Sequence, residues 1–155
     1  MTADEIIQLV TSMPGAVAVT AGEANGAPEA AWGDTFIFYD PEDDPGNRRL
    51  PFATIVVSDY DGFDTASNLN RPDVFRLNIA VGRDKFTELI GYSPAAHAEH
   101  AADFDYAALD RLLPHPVYAS QSWVCVLNPG AASGEQARLL LSHAHTRAGE
   151  RHRGR

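Results

Sequence analysis

Seven polar and aromatic residues, spread over most of the chain, have the side-chain types that could form a binding site. Asp34 supplies a carboxylate, Arg76 a guanidinium that can pair an anionic group, and Asn78 an amide that can fix a ligand's orientation. Two Trp and one Tyr add apolar area for a flat organic molecule. His115 lies between two prolines, which restrict its backbone. The candidate ligand site therefore comprises Trp32, Asp34, Tyr39, Arg76, Asn78, His115 and Trp123.

Three functions are compatible with these side chains. The first is a non-catalytic small-ligand-binding or protein-interaction module that uses the seven residues as its pocket. The second is a small enzyme in which His115 acts as the general base and Asp34 orients it. In that enzyme Arg76 or Asn78 would stabilise the developing charge. The third is a weak DNA-binding domain, which needs five arginines on one face of the protein: Arg48, Arg49, Arg147, Arg151 and Arg153.

The charge distribution argues against nucleic acid as a partner. The chain carries −9 at pH 7, and its last nine residues, RAGERHRGR, carry +3 of their own. Residues 1–146 therefore hold −12, which repels a phosphate backbone. We interpret residues 1–148 as a single domain and residues 149–155 as a solvated, Arg-rich tail whose charge suits a helix C-terminus. A small organic ligand or a protein is the expected partner.

No metal or cofactor site is predicted. The acidic segment 59–64 (DYDGFD) has its Gly in the fourth position, whereas a calcium-binding EF-hand loop needs Gly in the sixth. His97 and His100 could share a helical face, but a third ligand would have to come from elsewhere. Cys125 is the only cysteine and lies among apolar neighbours, which is typical of an inert buried thiol. The chain also lacks a phosphate-binding glycine loop and a nucleophile elbow.

The elements that must position the candidate site are predicted from periodicity and turn residues. Helices are expected at about 2–13, 84–90, 105–113 and 133–148, where apolar stripes or capping sequences occur. Strands are expected at about 16–21, 35–39, 52–58, 74–81 and 122–127, where β-branched and aromatic residues cluster or alternate. The segment 40–50 contains two prolines and six charges, so it is predicted to be a loop.

Consecutive strands, rather than strands alternating with helices, favour an antiparallel α+β fold. We predict one domain with a sheet of about five strands, on which the N- and C-terminal helices pack. No stretch approaches the roughly 20 apolar residues of a membrane span. The N-terminus, MTADEIIQLV, has acids where a signal peptide has Lys or Arg. We therefore expect a cytoplasmic protein with no membrane partner.

Three blocks of sequence carry a resemblance to a known family: WGDTFIFYDP, FRLNIAVGRDKFTELIG, and HPVYASQSWVCVLNPG with the later LLLSHAHTRAGER. Together they resemble the actinobacterial domain-of-unknown-function family numbered 6194, over nearly the whole chain. This resemblance implies no activity. The opening ADEIIQLVTSMPGA is more loosely similar to the start of MmcQ/YjbR-like proteins. That similarity implies a helix ending in Pro-Gly, antiparallel strands and a terminal helix, and it carries DNA binding as an expectation.

Overall fold

The computed structural model describes residues 1–154 and consists of an antiparallel six-stranded sheet with three of its four helices packed on one face. The helices are α1 (Ala3–Thr11), α2 (Arg83–Ile90), α3 (His97–His100) and α4 (Gly134–Arg153). The strands are β1 (Ala16–Thr20), β2 (Thr35–Tyr39), β3 (Ala53–Val56), β4 (Arg76–Ala80), β5 (Leu112–Pro114) and β6 (Trp123–Leu127). Their order across the sheet is β1-β2-β3-β4-β6-β5. The α+β class, the antiparallel sheet and both terminal helices are confirmed.

The terminal helices follow the signals in their sequences. Thr2 Oγ1 accepts a hydrogen bond from the Glu5 amide at 3.1 Å, and Glu5 Oε1 accepts one from the Thr2 amide at 3.0 Å. This reciprocal cap begins α1, whose Ile6 and Val10 are fully buried. The predicted apolar face of α4 is buried as well: Ala137, Leu140, Leu141, Ala144 and Ala148. Within residues 1–154 no helix combines the length and the apolar character needed to cross a membrane.

Strand β4 separates the two faces of the sheet. Leu77 and Ile79 point towards α1 and α4 and belong to the main hydrophobic core. Arg76 and Asn78 alternate with them and therefore point to the other face, which the helices do not cover. We call this second face the open face. It is flanked by two loops, residues 57–75 between β3 and β4 and residues 115–122 between β5 and β6.

The predicted helix at 105–113 is wrong, because this segment forms turns followed by the edge strand β5. The Asp105 carboxylate accepts a hydrogen bond from the Ala107 amide at 3.1 Å, which favours a turn. Asp110 has a φ of 55° and accepts hydrogen bonds from the amides of Gly130, Ala132 and Ser133 at the start of α4. These tertiary contacts override the helical periodicity and add a sixth strand to the sheet.

The last helix extends beyond the predicted end of the domain. Residues 149–153, which the sequence assigned to the tail, form the final turns of α4. Gly149 is buried, and the ring of His152 lies 5.3 Å from the ring of Tyr39 in β2. His152 Nε2 also lies 3.2 Å from Glu42 Oε1 in the 40–50 loop. Arg155, the last residue of the predicted tail, lies outside the described residues.

Candidate functional site

A cavity of about 470 Å³ lies on the open face of the sheet. Strands β2, β3, β4 and β6 form its floor, and the loops 57–75 and 115–122 form its walls. Its size is in the range of small-molecule sites, which typically measure about 300–1,000 Å³. The residues that line it are Phe36, Leu50, Pro51, Thr54, Val56, Tyr60, Phe63, Asp64, Arg76, Asn78, His115, Tyr118, Gln121 and Trp123.

Arg76 is the centre of the floor and has no exposed surface. Asp64 binds it in a bidentate pair, with Nη1 donating to Oδ1 at 3.0 Å and Nη2 donating to Oδ2 at 2.6 Å. Nη1 also donates to Ser67 Oγ at 2.9 Å, and Nε donates to Asn78 Oδ1 at 2.8 Å. A buried guanidinium is tolerated when its charge is paired in this way and most of its hydrogens have acceptors.

Asn78 extends the network across the sheet to the next strand. Its Nδ2 donates to Thr54 Oγ1 at 3.0 Å, and the two residues are direct partners in the β3–β4 register. Asn78 is thus held at both ends of its amide, with Oδ1 on Arg76 and Nδ2 on Thr54. This arrangement orders the polar floor before any ligand is present, and such preorganisation reduces the entropy cost of binding.

His115 is buried at the end of the cavity, where the chain leaves β5. Its Nδ1 accepts hydrogen bonds from the backbone amides of Val117 at 3.0 Å and Tyr118 at 2.9 Å. An Nδ1 that accepts two N–H groups carries no proton, so the ring proton of the neutral imidazole resides on Nε2. Burial, followed by the nearby positive charge of Arg76, lowers the pKa of His115 to about 3, while the negative charge of Asp64 acts in the opposite direction.

Asp34 lies beneath the cavity wall and has no exposed surface. One carboxylate oxygen accepts a hydrogen bond from the Val57 amide at 2.9 Å, and the other accepts a short one from the hydroxyl of Tyr60. Burial raises the pKa of Asp34, while these two hydrogen bonds act in the opposite direction. Asp34 therefore acts as a support that holds the ring of Tyr60 in the wall.

Aromatic side chains surround the mouth of the cavity. Phe63 is 58% exposed and Tyr118 is 37% exposed, and their ring centroids lie 6.2 Å apart. Tyr118 lies 4.9 Å from the ring of His115, and Trp123 lies 6.5 Å from it. The cavity thus combines a polar, hydrogen-bonded floor with an aromatic rim, which is the composition expected of a site for a flat organic molecule.

Comparison with known families identifies the chain. The family of unknown function DUF6194 matches residues 1–155. The chain belongs to DUF6194. The resemblance carried by the three sequence blocks is therefore confirmed. No curated protein and no solved structure matches the chain, so the looser similarity to MmcQ/YjbR-like proteins stays a prediction.

In this DUF6194 protein, five of the seven predicted site residues lie in or against the cavity. Arg76, Asn78, His115 and Trp123 line it, and Asp34 supports its wall through Tyr60. Asp34 and His115 are not hydrogen-bonded to each other, because each has the separate partners described above. The His/Asp pair that the general-base enzyme requires is therefore not formed in the described structure.

The other two predicted residues lie elsewhere. Trp32 is 40% exposed, and its Nε1 donates to the carbonyl of Ala27 at 2.9 Å within the turn before β2. Tyr39 points towards α4, where its ring lies 5.6 Å from the ring of His145. The alternation of β2 explains this position, because Tyr39 shares a face with Ile37, which belongs to the covered core.

Among the residues whose side chains hydrogen-bond to Arg76, Asn78 or Asp34, sequence reasoning missed four: Thr54, Tyr60, Asp64 and Ser67. One signal was available for Asp64, since an Arg predicted in a half-buried strand needs a carboxylate partner. The sequence could not identify that partner, because the chain has 21 acidic residues. The sequence of segment 59–64 does not match a calcium loop and predicts a solvated turn, whereas in the structure its last residue, Asp64, is the buried counter-ion of Arg76. Within residues 1–154 no three His, Cys, Asp or Glu side chains form a metal-binding group.

Three arginines of the DNA-binding alternative lie near one another: burial lowers the pKa of Arg151, and the nearby charges of Arg147 and Arg49 also lower it. Arg48 pairs with Asp40 at 2.7 Å and with Asp43 at 3.3 Å. Arg49 and Arg151 line a separate cavity of about 210 Å³ beside Tyr39. Arg147 lines a further pocket next to Gly82.

Cys125 is buried in β6, and burial raises the pKa of its thiol to about 12, as expected of a structural cysteine.

Proposed function

We propose that this DUF6194 protein is a non-catalytic small-ligand-binding module and that its ligand occupies the cavity on the open face. The observation that carries the proposal is the buried Arg76 network beneath an aromatic rim. A domain of this size can form its core from apolar residues alone, and the covered face does so. A buried polar network facing a cavity is therefore better explained by recognition than by folding.

The chemistry of the floor favours binding over catalysis. His115 has a pKa lowered to about 3 and carries its proton on the nitrogen that faces Arg76, so it is not a base at neutral pH. The Arg76 charge is already matched by Asp64. The sole thiol, that of Cys125, is fully buried. These groups can orient a ligand, but none is activated as a nucleophile or a general base.

A protein partner is the second candidate, and two side chains at the mouth of the cavity favour it. Leu50 is 83% exposed and Phe63 is 58% exposed, and both line the opening. Large apolar side chains that cluster at an opening commonly mark interaction surfaces. Such a partner would insert an apolar or aromatic side chain into the same cavity that a small ligand would occupy.

The two tryptophans allow a direct test, because one lines the cavity and the other does not. The Trp32→Phe variant retains Trp123 as its only Trp, and Trp123→Phe retains Trp32 as the matched control. A thermal-shift screen with metabolites and nucleotides would first identify compounds that raise the melting temperature with concentration. We expect such a compound to change the fluorescence of Trp32→Phe but not that of Trp123→Phe. A compound that changes only the Trp32 signal would contradict the proposed site.

A further inference from the structure

The hydrogens of Arg76 are not all used by the protein. A guanidinium has five N–H hydrogens, and four of those of Arg76 have acceptors in Asn78, Ser67 and the two oxygens of Asp64. The fifth is on Nη2, whose remaining polar neighbour is His115 Nε2 at 3.4 Å. This fifth hydrogen is satisfied only if His115 Nε2 can accept it.

His115 Nε2 cannot accept that hydrogen. Because Nδ1 accepts the amides of Val117 and Tyr118, Nε2 carries the ring proton and is itself a donor. Arg76 Nη2 and His115 Nε2 are therefore two donors that face each other without an acceptor between them. Buried donors without an acceptor cost about 1–3 kcal/mol each. One oxygen atom placed within hydrogen-bonding distance of both nitrogens would satisfy both hydrogens.

A third donor lies on the same floor. Thr54 Oγ1 accepts the hydrogen bond from Asn78 Nδ2, and its own hydroxyl hydrogen has no acceptor within residues 1–154. Thr54 also lines the cavity. Three donors of the floor, Arg76 Nη2, His115 Nε2 and the Thr54 hydroxyl, therefore have no acceptor within the described residues, and a ligand that presents acceptors to them is complementary.

The charges around the floor disfavour an anionic acceptor. The guanidinium of Arg76 is already matched by the carboxylate of Asp64, and a second carboxylate, Asp34, lies behind Tyr60. The imidazole of His115 is neutral. A ligand carboxylate would therefore enter a buried site that has no unmatched positive charge, which is unfavourable. An uncharged carbonyl oxygen satisfies the same donors without this penalty.

Building on the proposed ligand-binding function, we infer that the ligand is an uncharged, planar molecule whose carbonyl oxygen accepts hydrogen bonds from Arg76 Nη2 and His115 Nε2. Its ring lies against the aromatic rim formed by Tyr118 and Trp123. Aromatic lactones, lactams and amides meet this description, because they combine a flat apolar body with a neutral acceptor.

Three bicyclic probes of similar size separate the possibilities: coumarin, an uncharged lactone; quinaldate, which carries a carboxylate; and indole, which has a donor but no carbonyl. We expect coumarin to bind at least about tenfold more tightly than the other two, as measured by isothermal titration calorimetry. Nuclear magnetic resonance of His-labelled protein should place the His115 proton on Nε2. Coumarin should then shift that proton signal.

Two substitutions at His115 test the donor directly. His115→Phe removes the Nε2 hydrogen, so we expect the affinity for coumarin to fall to that for indole. His115→Gln places an amide N–H near the same position and should restore part of the difference. Thermal melting of each variant confirms that it is folded. The Gln8→Ala variant, which changes an exposed residue of α1 outside the cavity, should leave the preference for coumarin unchanged.

The outcomes distinguish this inference from the proposed function. Equal binding of coumarin and indole with an unmoved His115 signal would overturn the carbonyl inference and leave the binding module intact. Tightest binding of quinaldate, or a proton on Nδ1 of His115, would also overturn it. If no probe and no compound of the screen changes the Trp123 signal, the proposed function itself fails.

Discussion

The two faces of the sheet are equally buried along β4 but differ in chemistry. Leu77 and Ile79 on the covered face have no exposed surface, and neither has Arg76 on the open face, where Asn78 is 2% exposed. The covered face is held by apolar packing against the helices. The open face is held by hydrogen bonds to loop residues, Asp64 and Ser67 in particular. In the function proposed above, the covered face serves stability and the open face serves recognition.

The largest effect is expected from breaking the buried ion pair of the open face. Asp64→Ala leaves the Arg76 guanidinium buried without a counter-charge, which should lower the free energy of unfolding by about 3–5 kcal/mol. Urea denaturation measures this loss. Asp61→Ala, in the same acidic segment but at an exposed position, is the matched control and should change stability by less than about 0.5 kcal/mol. Equal losses would contradict the assignment of Asp64 as the counter-ion.

A substitution on the covered face should affect stability without affecting recognition. Leu77→Ala removes a fully buried side chain from the core and should lower the free energy of unfolding by about 3 kcal/mol. The folded variant should bind coumarin with the affinity of the wild type, because Leu77 points away from the cavity. A loss of affinity comparable to that of His115→Phe would show that the two faces are not independent.

The titration of His115 makes the stability of the open face depend on pH. Its folded pKa of about 3 lies below the ordinary value of 6.5, so the unfolded chain takes up the proton first as pH falls. The contribution of the uncharged His115 to the free energy of unfolding is fully present above pH 6.5 and is lost progressively as pH falls towards 3. At about pH 5 the loss should be roughly 2 kcal/mol. Urea denaturation across this range should show a smaller pH dependence for His115→Gln than for the wild type.

The smallest effect is expected at the support of the cavity wall. Tyr60→Phe removes the hydroxyl that donates to Asp34 and should lower the free energy of unfolding by about 1–2 kcal/mol. Because this hydrogen bond lowers the pKa of Asp34, its loss raises that pKa further. The difference in the free energy of unfolding between the variant and the wild type should therefore widen as pH rises through the raised pKa of Asp34.

Tyr106→Phe is the matched control for that experiment. Its hydroxyl donates to the carbonyl of Ala101 at 2.7 Å, so its removal leaves no carboxylate without a donor. We expect a similar loss of stability whose size does not change over the same pH range. If the loss of stability caused by Tyr60→Phe is equally independent of pH, the role of Asp34 as a charged support is contradicted.

The covered face could be predicted from the sequence because its signals are local. The period of α4 and the alternation of β4 identify buried residues without knowledge of their partners, and the structure bears out both patterns. The alternation also placed Arg76 and Asn78 together on one face. It could have excluded Tyr39 from that face, since Tyr39 alternates with Phe38 in β2 and shares the side of Ile37.

The rest of the open face depends on contacts between distant segments. Asp64 and Tyr60 reach the site because the loop 57–75 folds over the sheet. No local sequence pattern predicts the path of this loop. The segment 105–113 was misassigned for the same reason, since Asp110 bonds to amides about 20 residues later in the chain. Long-range hydrogen bonds of polar side chains therefore mark the limit of what the sequence could predict here.

The most direct test of the central claim is an amide-resolved magnetic resonance titration of the isotope-labelled protein with coumarin. We predict chemical-shift changes concentrated in the two loops, 57–75 and 115–122, and at Trp123, with α1 and α4 unaffected. Changes centred on Arg49 and Arg151 in the smaller cavity, or spread over α1 and α4, would contradict the assignment of recognition to the open face.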